Sequence, residues 1–214
     1  MKDIAIYGAG GLGREIACTI KNINKVNPEW NLIGFFDDGE SVGKEVYHFG
    51  KVLGGFSELN AWRTELNVVL CFGNPTTMKS ISQNITNPNI LFPNIVDPSF
   101  FIADDITFSM GRGNIIARNC GVTTDVHLGD FNLLNSYVHI GHNTRIGNYN
   151  TFMPDSRISG DVIIGDGNLF GGKSFVKQQL RIGDNVTLSP LSALLTKPKN
   201  GMTYIGNPAK VFKF

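Results

Sequence analysis

The sequence predicts two domains in a chain of 214 residues, a small parallel α/β domain followed by a parallel β-helix. A glycine-rich turn joins the first predicted strand to a helix, and strands and helices then alternate to about residue 92. From Ile116 to Leu195 an apolar residue recurs at every sixth position, which is the signature of β-helix repeats. The predicted domains are residues 1–93 and 94–214.

The composition predicts a protein whose partners are small molecules or copies of itself. Its 19 basic residues nearly cancel its 18 acidic residues, so no basic surface for nucleic acid or an anionic membrane is expected. The first apolar run is too short for a signal peptide, and no stretch reaches eighteen consecutive apolar residues, so we expect a cytoplasmic protein that does not span a membrane. Cys18, Cys71 and Cys120 lack metal-binding spacing, and we expect buried cysteines and no metal.

The chain opens with a predicted strand at residues 3–7, the glycine loop Gly8–Gly13 and a helix at residues 14–23. In this context a G-x-G-x-x-G pattern brings backbone N–H groups and the positive end of a helix to a phosphate. The alternative is a loop that is merely tight.

The next strand, residues 31–36, ends in Asp37 and Asp38. This architecture places a carboxylate there against a ribose or a base, although Asp pairs before a glycine also start ordinary turns. The remaining predicted elements are a helix at 57–66, a strand at 67–72, a helix at 76–85 and a strand at 90–92.

The repeat consists of fourteen apolar residues, which we expect to line the inside of the β-helix. They are Ile116, Val122, Leu128, Leu134, Ile140, Ile146, Phe152, Ile158, Ile164, Phe170, Val176, Ile182, Leu188 and Leu194. Glycine often follows the apolar residue, which suits a backbone that must bend, often with positive φ. Residues 95–108 read as irregular first rungs, with Ile102 and Phe108 six apart, and Gly111-Arg112-Gly113 is expected to shift the register by two.

Six segments together resemble one subgroup of acyltransferases. YGAGGLGRE, FFDDG, FGNP, VHIGHNTRIGNY, SGDVIIGDGN and YIGNPAKVFK occur in that order over almost the whole chain. They resemble hexapeptide-repeat sugar acyltransferases of the sialic-acid O-acetyltransferase and nucleotide-4-amino-sugar N-acetyltransferase type. The resemblance implies a left-handed β-helix with three hexads per eighteen-residue coil. It also implies four to five coils for the fourteen hexads, a Rossmann-like N-terminal domain that binds a nucleotide-sugar, and acetyl-CoA held between subunits of a homotrimer.

The resemblance also implies the site residues. His142 corresponds to a catalytic base, Asn143 stands where relatives usually have Asp or Glu, and Asn135 helps line the active site. The implied substrate-binding residues are Gly10 and Gly11 for the pyrophosphate, Asp37 and Asp38 for the base or ribose, and Asn74. The implied acetyl-CoA contacts are Gly160, Gly172 and Lys210.

Acyl transfer from a thioester to an amine or hydroxyl requires a base near neutrality and an N–H donor for the oxyanion, and histidine fits the first need. The expected function is acetyl transfer from acetyl-CoA to the amino group of a nucleotide-linked 4-amino-deoxy sugar. The alternatives are a sialic-acid-type O-acetyltransferase, a nicotinamide-dependent oxidoreductase and a non-catalytic β-helix scaffold, for which Asn143 is the strongest argument.

Three positions depart from the family pattern. Leu12 stands where some relatives carry a histidine, and Pro190 stands where glycine is frequent. At Asn143 a carboxylate that would orient the imidazole is missing. Asp125 and Asp161 lie eighteen residues to either side of Asn143 and should stack on its column, so either could supply the charge.

Overall fold

In the computed structural model, which describes residues 1–212, the chain begins with a five-stranded parallel sheet and three helices. The strand order is β3-β2-β1-β4-β5. The elements are β1 (Lys2–Tyr7), α1 (Gly11–Val26), β2 (Trp30–Phe36), β3 (Val52–Gly54), α2 (Phe56–Asn60), β4 (Leu66–Leu70), α3 (Pro75–Asn84) and β5 (Ile90–Leu91).

One prediction about this domain was wrong, and one strand of its sheet was missed. The helix expected at residues 57–66 ends at Asn60, because Leu66 is fully buried as the first residue of β4 and the chain must extend to bring it there. The Asn87 side chain donates to the Trp62 carbonyl at 2.8 Å, which stabilises the extended connection. Strand β3 was not predicted, since its three residues form a sheet edge without a readable pattern.

The chain then winds into a β-helix with three faces. The first face contains β6 (Ile95–Val96), β9 (Ile115–Ile116), β12 (Leu133–Leu134), β15 (Thr151–Phe152), β18 (Leu169–Phe170), β21 (Thr187–Leu188), β23 (Thr203–Ile205) and the antiparallel β24 (Lys210–Val211). The second contains β7 (Phe101–Ile102), β10 (Gly121–Val122), β13 (His139–Ile140), β16 (Arg157–Ile158), β19 (Phe175–Val176) and β22 (Ala193–Leu194). The third contains β8 (Ser109–Met110), β11 (Val126–Leu128), β14 (Thr144–Ile146), β17 (Ile163–Ile164) and β20 (Arg181–Ile182).

The predicted interior of the β-helix is confirmed. All fourteen apolar residues of the repeat are at most 5% exposed, and they form one continuous cluster. The rings of Phe152 and Phe170 stack in it with centroids 4.7 Å apart. The predicted last residues of the β-helix domain, 213 and 214, lie outside the described residues.

The register of the repeat is eighteen residues per coil, as Leu133 beside Thr151 illustrates. The first coil is longer, because Phe101 pairs with Gly121, twenty residues on, whereas Ser109 pairs with His127, eighteen on. The two extra residues therefore lie between Ile102 and Met110. The prediction that Gly111-Arg112-Gly113 shifts the register was wrong, and Met110, not Phe108, lies in the strand of that rung.

Positive φ occurs at a different position of the six-residue repeat from the one that the glycines suggested. It falls on every sixth residue from 113 to 191, namely Gly113, Asn119, Asp125, Phe131, Tyr137, Asn143, Tyr149, Asp155, Asp161, Gly167, Lys173, Gln179, Asn185 and Leu191. The glycines after the inward residues serve close packing of successive coils instead. A Cβ at Gly129 would lie 2.7 Å from the Gly147 carbonyl oxygen, so larger residues do not fit there.

Four buried asparagines form a ladder along the β-helix, and their side chains bond successive coils. They are Asn114, Asn132, Asn150 and Asn168. Asn135 is not part of this ladder, since its Oδ1 accepts from the N–H of Ser136 at 2.7 Å.

Helix α1 packs on the first face of the β-helix. Ile16 and Ile20 share one buried cluster with Ile95, Ile115 and Leu133. The helix that follows the glycine loop is thereby held against the β-helix. Among residues 1–212, no helix is long and apolar enough to cross a membrane.

Candidate active site

His142 lies on the turn between β13 and β14, which we call the second corner because it joins the second and third faces. Its ring occupies the space beside Gly160, one coil further along. A Cβ at Gly160 would lie 2.5 Å from Nε2 and 2.6 Å from Cε1 of the imidazole. Glycine at residue 160 is therefore required for the observed position of His142.

Asn143 holds the other side of the imidazole. Its Oδ1 is 2.8 Å from His142 Nδ1, and its backbone has a φ of 56°. Its Nδ2 donates to Asp125 Oδ2 at 3.3 Å. Of the two carboxylates expected on this column, Asp125 is the one that contacts Asn143, whereas Asp161 donates its backbone N–H to the His142 carbonyl at 2.7 Å.

Asp125 is in turn held by two basic side chains. Arg145 Nη2 donates to both of its carboxylate oxygens, at 2.8 and 3.0 Å, and Nη1 donates to its backbone carbonyl at 2.7 Å. His127 Nε2 lies 3.1 Å from Asp125 Oδ1, and His127 Nδ1 lies 2.5 Å from Ser109 Oγ. The hydrogen bonds from Arg145, and then from His127, hold the pKa of the Asp125 carboxyl below its usual value.

Asn135 lies elsewhere, on the turn between β12 and β13, which we call the first corner. There it lines a cleft of about 560 Å³ between helix α1 and the β-helix. Leu12 lines the same cleft, so the end of the glycine loop and the first corner meet there. The other polar lining residues are Glu15, Cys18, Thr19, Asn22, Asp97, Arg118, Ser136, Tyr137 and Asp155.

The predicted site residues therefore fall on two corners. His142, Asn143 and Gly160 lie at the second corner, whereas Asn135 and Gly172 lie at the first. Asn135 and His142 are separated by the whole width of the second face, a contour of seven residues or up to about 23 Å. The chain by itself does not bring these two sets of residues together.

Two glycines of the loop are required by the backbone or by close packing, whereas the other two have free space beside them. Gly8 has a φ of 115°, and a Cβ at Gly13 would lie 1.8 Å from the Gly8 carbonyl oxygen. At Gly10 and Gly11, a Cβ would meet nothing within 4 Å. Helix α1 also lacks a capping side chain, so its first N–H groups are available to an anion.

Asp37 and Asp38 stand at the carboxyl end of β2, beside this loop, and both carboxylates have partners. Asp37 accepts from the N–H groups of Ala9 and Gly39, each at 2.8 Å, and so holds the loop. Asp38 accepts from the N–H of Phe56 at 2.7 Å and from the Tyr7 hydroxyl. Burial, and then the bond to Asp38, raise the pKa of Tyr7.

The other predicted contacts are scattered. Asn74 caps α3, with its Oδ1 accepting from the N–H groups of Thr76 and Thr77. Lys210 is exposed on β24. Gly172 lies at the first corner, where a Cβ would be 3.4 Å from the Pro154 carbonyl oxygen. A Cβ at Gly171 would lie 2.4 Å from the Pro190 nitrogen, so that proline packs directly on the preceding coil.

The expectation of three buried cysteines was wrong for one of them. Cys71 and Cys120 are buried, and burial raises the pKa of the Cys120 thiol to about 12. Cys18 is exposed and lines the cleft, since it falls on the side of α1 that faces away from the sheet. Among residues 1–212, no three His, Cys, Asp or Glu side chains are grouped to hold a metal ion.

Sequence reasoning missed several residues near these sites. Arg14, in the first turn of α1, lies over the Tyr47 ring at 4.7 Å, beside the glycine loop. Arg145 and His127 were not connected with the histidine site, although both lie on the third face, eighteen residues apart and paired in register. The eighteen-residue spacing was the signal in the sequence that could have placed these two residues side by side.

Residues 3–85 match the PglD N-terminal domain family. The matched segment, which we call the PglD domain for its similarity to that family, spans β1 to the end of α3 and includes both the glycine loop and Asp37. Across both architectures, the chain is 28% identical over 157 residues to the GDP-perosamine N-acetyltransferase of Escherichia coli O157:H7, which covers 73% of this chain and 70% of that protein.

Solved structures match the PglD domain and the β-helix together. The acetyltransferase domain of PglB from Neisseria gonorrhoeae FA1090, in complex with acetyl coenzyme A, has a TM-score of 0.87, 22% identity and 99% coverage of both chains. PerB from Caulobacter crescentus, in complex with CoA and GDP-perosamine, has a TM-score of 0.85 at 18% identity, covering 100% of this chain and 98% of PerB. The predicted fold, a Rossmann-like domain followed by a left-handed β-helix, is confirmed, as is the predicted resemblance to hexapeptide-repeat amino-sugar N-acetyltransferases.

Proposed function

We propose that this protein transfers an acetyl group from acetyl-CoA to the amino group of a nucleotide-linked 4-amino-deoxy sugar. In this proposal the PglD domain binds the nucleotide-sugar and His142 is the general base. The active sites lie between the subunits of a homotrimer. The 28% identical relative, a GDP-perosamine N-acetyltransferase, supports the reaction class and makes a GDP-linked amino sugar the first acceptor to test.

The observation that carries the proposal is the division of the site between two corners. Asn135 and the cleft beside the glycine loop lie at the first corner, and His142 lies across the second face from them. A cyclic trimer uses heterologous contacts, in which one patch of a subunit meets a different patch of the next. Such a contact would bring the second corner of one subunit to the first corner of its neighbour and complete the site.

The chemistry needs one base and one fixed donor. The acceptor ammonium first loses one proton to solvent, and the neutral amine nitrogen then attacks the thioester carbonyl carbon. His142 Nε2 accepts the second proton, which the nitrogen loses as the amide forms. A backbone N–H, which we assign to Gly160, donates to the carbonyl oxygen as it becomes negative. The carbon–sulfur bond then breaks, and the imidazolium returns the proton to the CoA thiolate, which leaves the histidine neutral for the next turnover.

The charge of the cleft supports an amine acceptor over a hydroxyl acceptor. Glu15, Asp97 and Asp155 line it against the single guanidinium of Arg118. An amino sugar enters as an ammonium ion at neutral pH, and surrounding carboxylates stabilise that charge. A hydroxyl acceptor carries no charge for these carboxylates to stabilise.

The test is an acceptor panel followed by mass spectrometry of the products. The purified protein is incubated with acetyl-CoA and GDP-, UDP- and dTDP-linked 4-amino sugars, and each is paired with the matching 4-hydroxy sugar. We expect an acetylated product from an amino sugar and none from its hydroxy counterpart. Acetylation of the hydroxy sugars would favour the O-acetyltransferase alternative, and no product with any acceptor would favour a scaffold. Mass spectrometry is preferable to thiol reagents because the exposed Cys18 would react with them.

A further inference from the structure

The amide of Asn143 forms a bridge between two side chains that do not touch each other. On one side its Oδ1 is 2.8 Å from His142 Nδ1, and on the other its Nδ2 donates to Asp125 Oδ2 at 3.3 Å. We infer that Asp125 is a positioning residue for His142 and acts through Asn143 to fix which ring nitrogen carries the proton. The inference concerns the proposed acetyl transfer and rests on His142 being its base.

The ionised state of Asp125 determines which end of the Asn143 amide faces it. Arg145 donates two hydrogen bonds to its carboxylate and His127 lies 3.1 Å from it, and these basic neighbours keep the carboxyl deprotonated. A carboxylate only accepts hydrogen bonds. Asn143 must therefore turn its NH₂ group toward Asp125, and its carbonyl oxygen then faces the histidine.

The histidine has one way to meet that oxygen. Oδ1 of Asn143 only accepts, so the neutral imidazole must carry its proton on Nδ1 and donate it. The lone pair is then on Nε2, the nitrogen free to accept a proton from an acceptor amine. An isolated asparagine could present either end of its amide, so Asn143 alone would not select the tautomer.

The arrangement also explains how asparagine can stand where relatives carry an acid. The Asn143 amide orients the imidazole, and Asp125, one coil below, fixes which end of that amide faces the ring. Arg145 and His127 face Asp125 from the third face, while Asp161, on the opposite side of the column, makes no side-chain contact with Asn143 in the described residues. Asp161 is therefore the matched control, since it has the same residue type and the same spacing from Asn143.

The experiment is long-range ¹H–¹⁵N NMR of the full chain labelled with ¹⁵N-histidine, at a pH where the imidazoles are neutral. His142→Ala assigns the signals of residue 142 among the four histidines. We expect the Nδ1–H tautomer in the wild type, a rise of the Nε2–H tautomer in Asp125→Ala, and no change in Asp161→Ala. An Nε2–H tautomer in the wild type, or an Nδ1–H tautomer that persists in Asp125→Ala, would overturn the inference.

A rescue experiment separates positioning from a purely structural role of the Asp125–Arg145 ion pair. Asp125→Asn should lower kcat by about 10- to 100-fold, as losses of orienting partners typically do. Adding Asn143→Asp gives His142 a direct carboxylate acceptor, so the double variant should recover both the Nδ1–H tautomer and most of the lost turnover. Failure to recover the tautomer would count against positioning. If the tautomer responds as expected but Asp125→Asn leaves turnover unchanged, Asp125 still positions the ring, and His142 is not the base.

Discussion

The imidazole of His142 occupies the space that a side chain at residue 160 would need, with Nε2 only 2.5 Å from the position of an added Cβ. Gly160 thus sets the position of the histidine from the coil above, and Asn143 holds it from the side. The ring is exposed, so its position depends on these two neighbours and not on burial in the core.

Gly160→Ala should displace the His142 ring while leaving the fold intact. A misplacement of about 1 Å at a catalytic group can lower the rate roughly 100-fold, and we expect a loss of kcat of that order. Steady-state kinetics measure the loss, and thermal unfolding checks the fold. Gly73→Ala is the control, because a Cβ there meets nothing within 4 Å. Normal turnover in Gly160→Ala would mean that the ring position seen here is not the productive one.

His142→Ala should lower kcat by about 10²- to 10⁴-fold with both ligands still bound, because a general base contributes that much to proton transfer. His139→Ala is the comparison: its ring also lies outside the β-helix, but Nδ1 faces the Tyr137 carbonyl at 3.0 Å. We expect it to cost little. A large loss of turnover in His139→Ala together with normal turnover in His142→Ala would show that the base is His139 and not His142.

Asp37→Ala should weaken nucleotide-sugar binding and leave acetyl-CoA binding unchanged. The carboxylate accepts from Ala9 and Gly39, so its removal frees the glycine loop and loses two charge-assisted hydrogen bonds. We expect a rise in Kd of roughly 10- to 100-fold for the nucleotide-sugar. Calorimetry with each ligand in turn measures it, with the exposed Asp105→Ala as control. Equal weakening of both ligands would contradict a division of binding between the two architectures.

Asn150→Ala should destabilise the β-helix strongly. The side chain donates to the Asn132 Oδ1 at 3.0 Å and to the Gly165 carbonyl at 2.9 Å, and it accepts two bonds from Asn168. Because orphaned buried polar groups cost about 1–3 kcal/mol each, the free energy of unfolding should fall by about 2–5 kcal/mol. Urea unfolding measures the change. The exposed Asn84→Ala should change it by less than about 0.5 kcal/mol, and an equal effect of both variants would show that the ladder adds no stability.

Much of the architecture was predictable from the sequence because the same six-residue pattern recurs in every coil. Each coil places one apolar residue per face inside, so fourteen inward positions could be named from periodicity alone. The places where prediction failed lack that redundancy. The two extra residues between Ile102 and Met110 occur once, and the edge strand at Val52 has no repeat to identify it.

The site was harder to predict than the fold. The motif around His142 predicts that this histidine is the base, and the eighteen-residue spacing placed Asp125 and Asp161 alike beside Asn143. The choice between them depends on Arg145, whose side chain crosses to the coil below and holds Asp125. The cleft was also beyond sequence reasoning, since it forms only where α1 packs on the first face and brings Leu12 close to Asn135.

The trimer should be visible in solution. Sedimentation equilibrium at assay concentration should give three times the chain mass of 23.4 kDa. A monomer that retains full activity would contradict an active site shared between subunits.

The most direct measurement is complementation between two inactive variants. His142→Ala keeps Asn135, and Asn135→Ala keeps His142, so a mixed trimer made by co-expression contains some sites with both residues intact. If each site combines the second corner of one subunit with the first corner of the next, random 1:1 trimers should recover about a quarter of wild-type turnover, although each variant alone is nearly inactive. Mixed trimers no more active than the two parents would contradict the shared site and place both residues' contributions within a single chain.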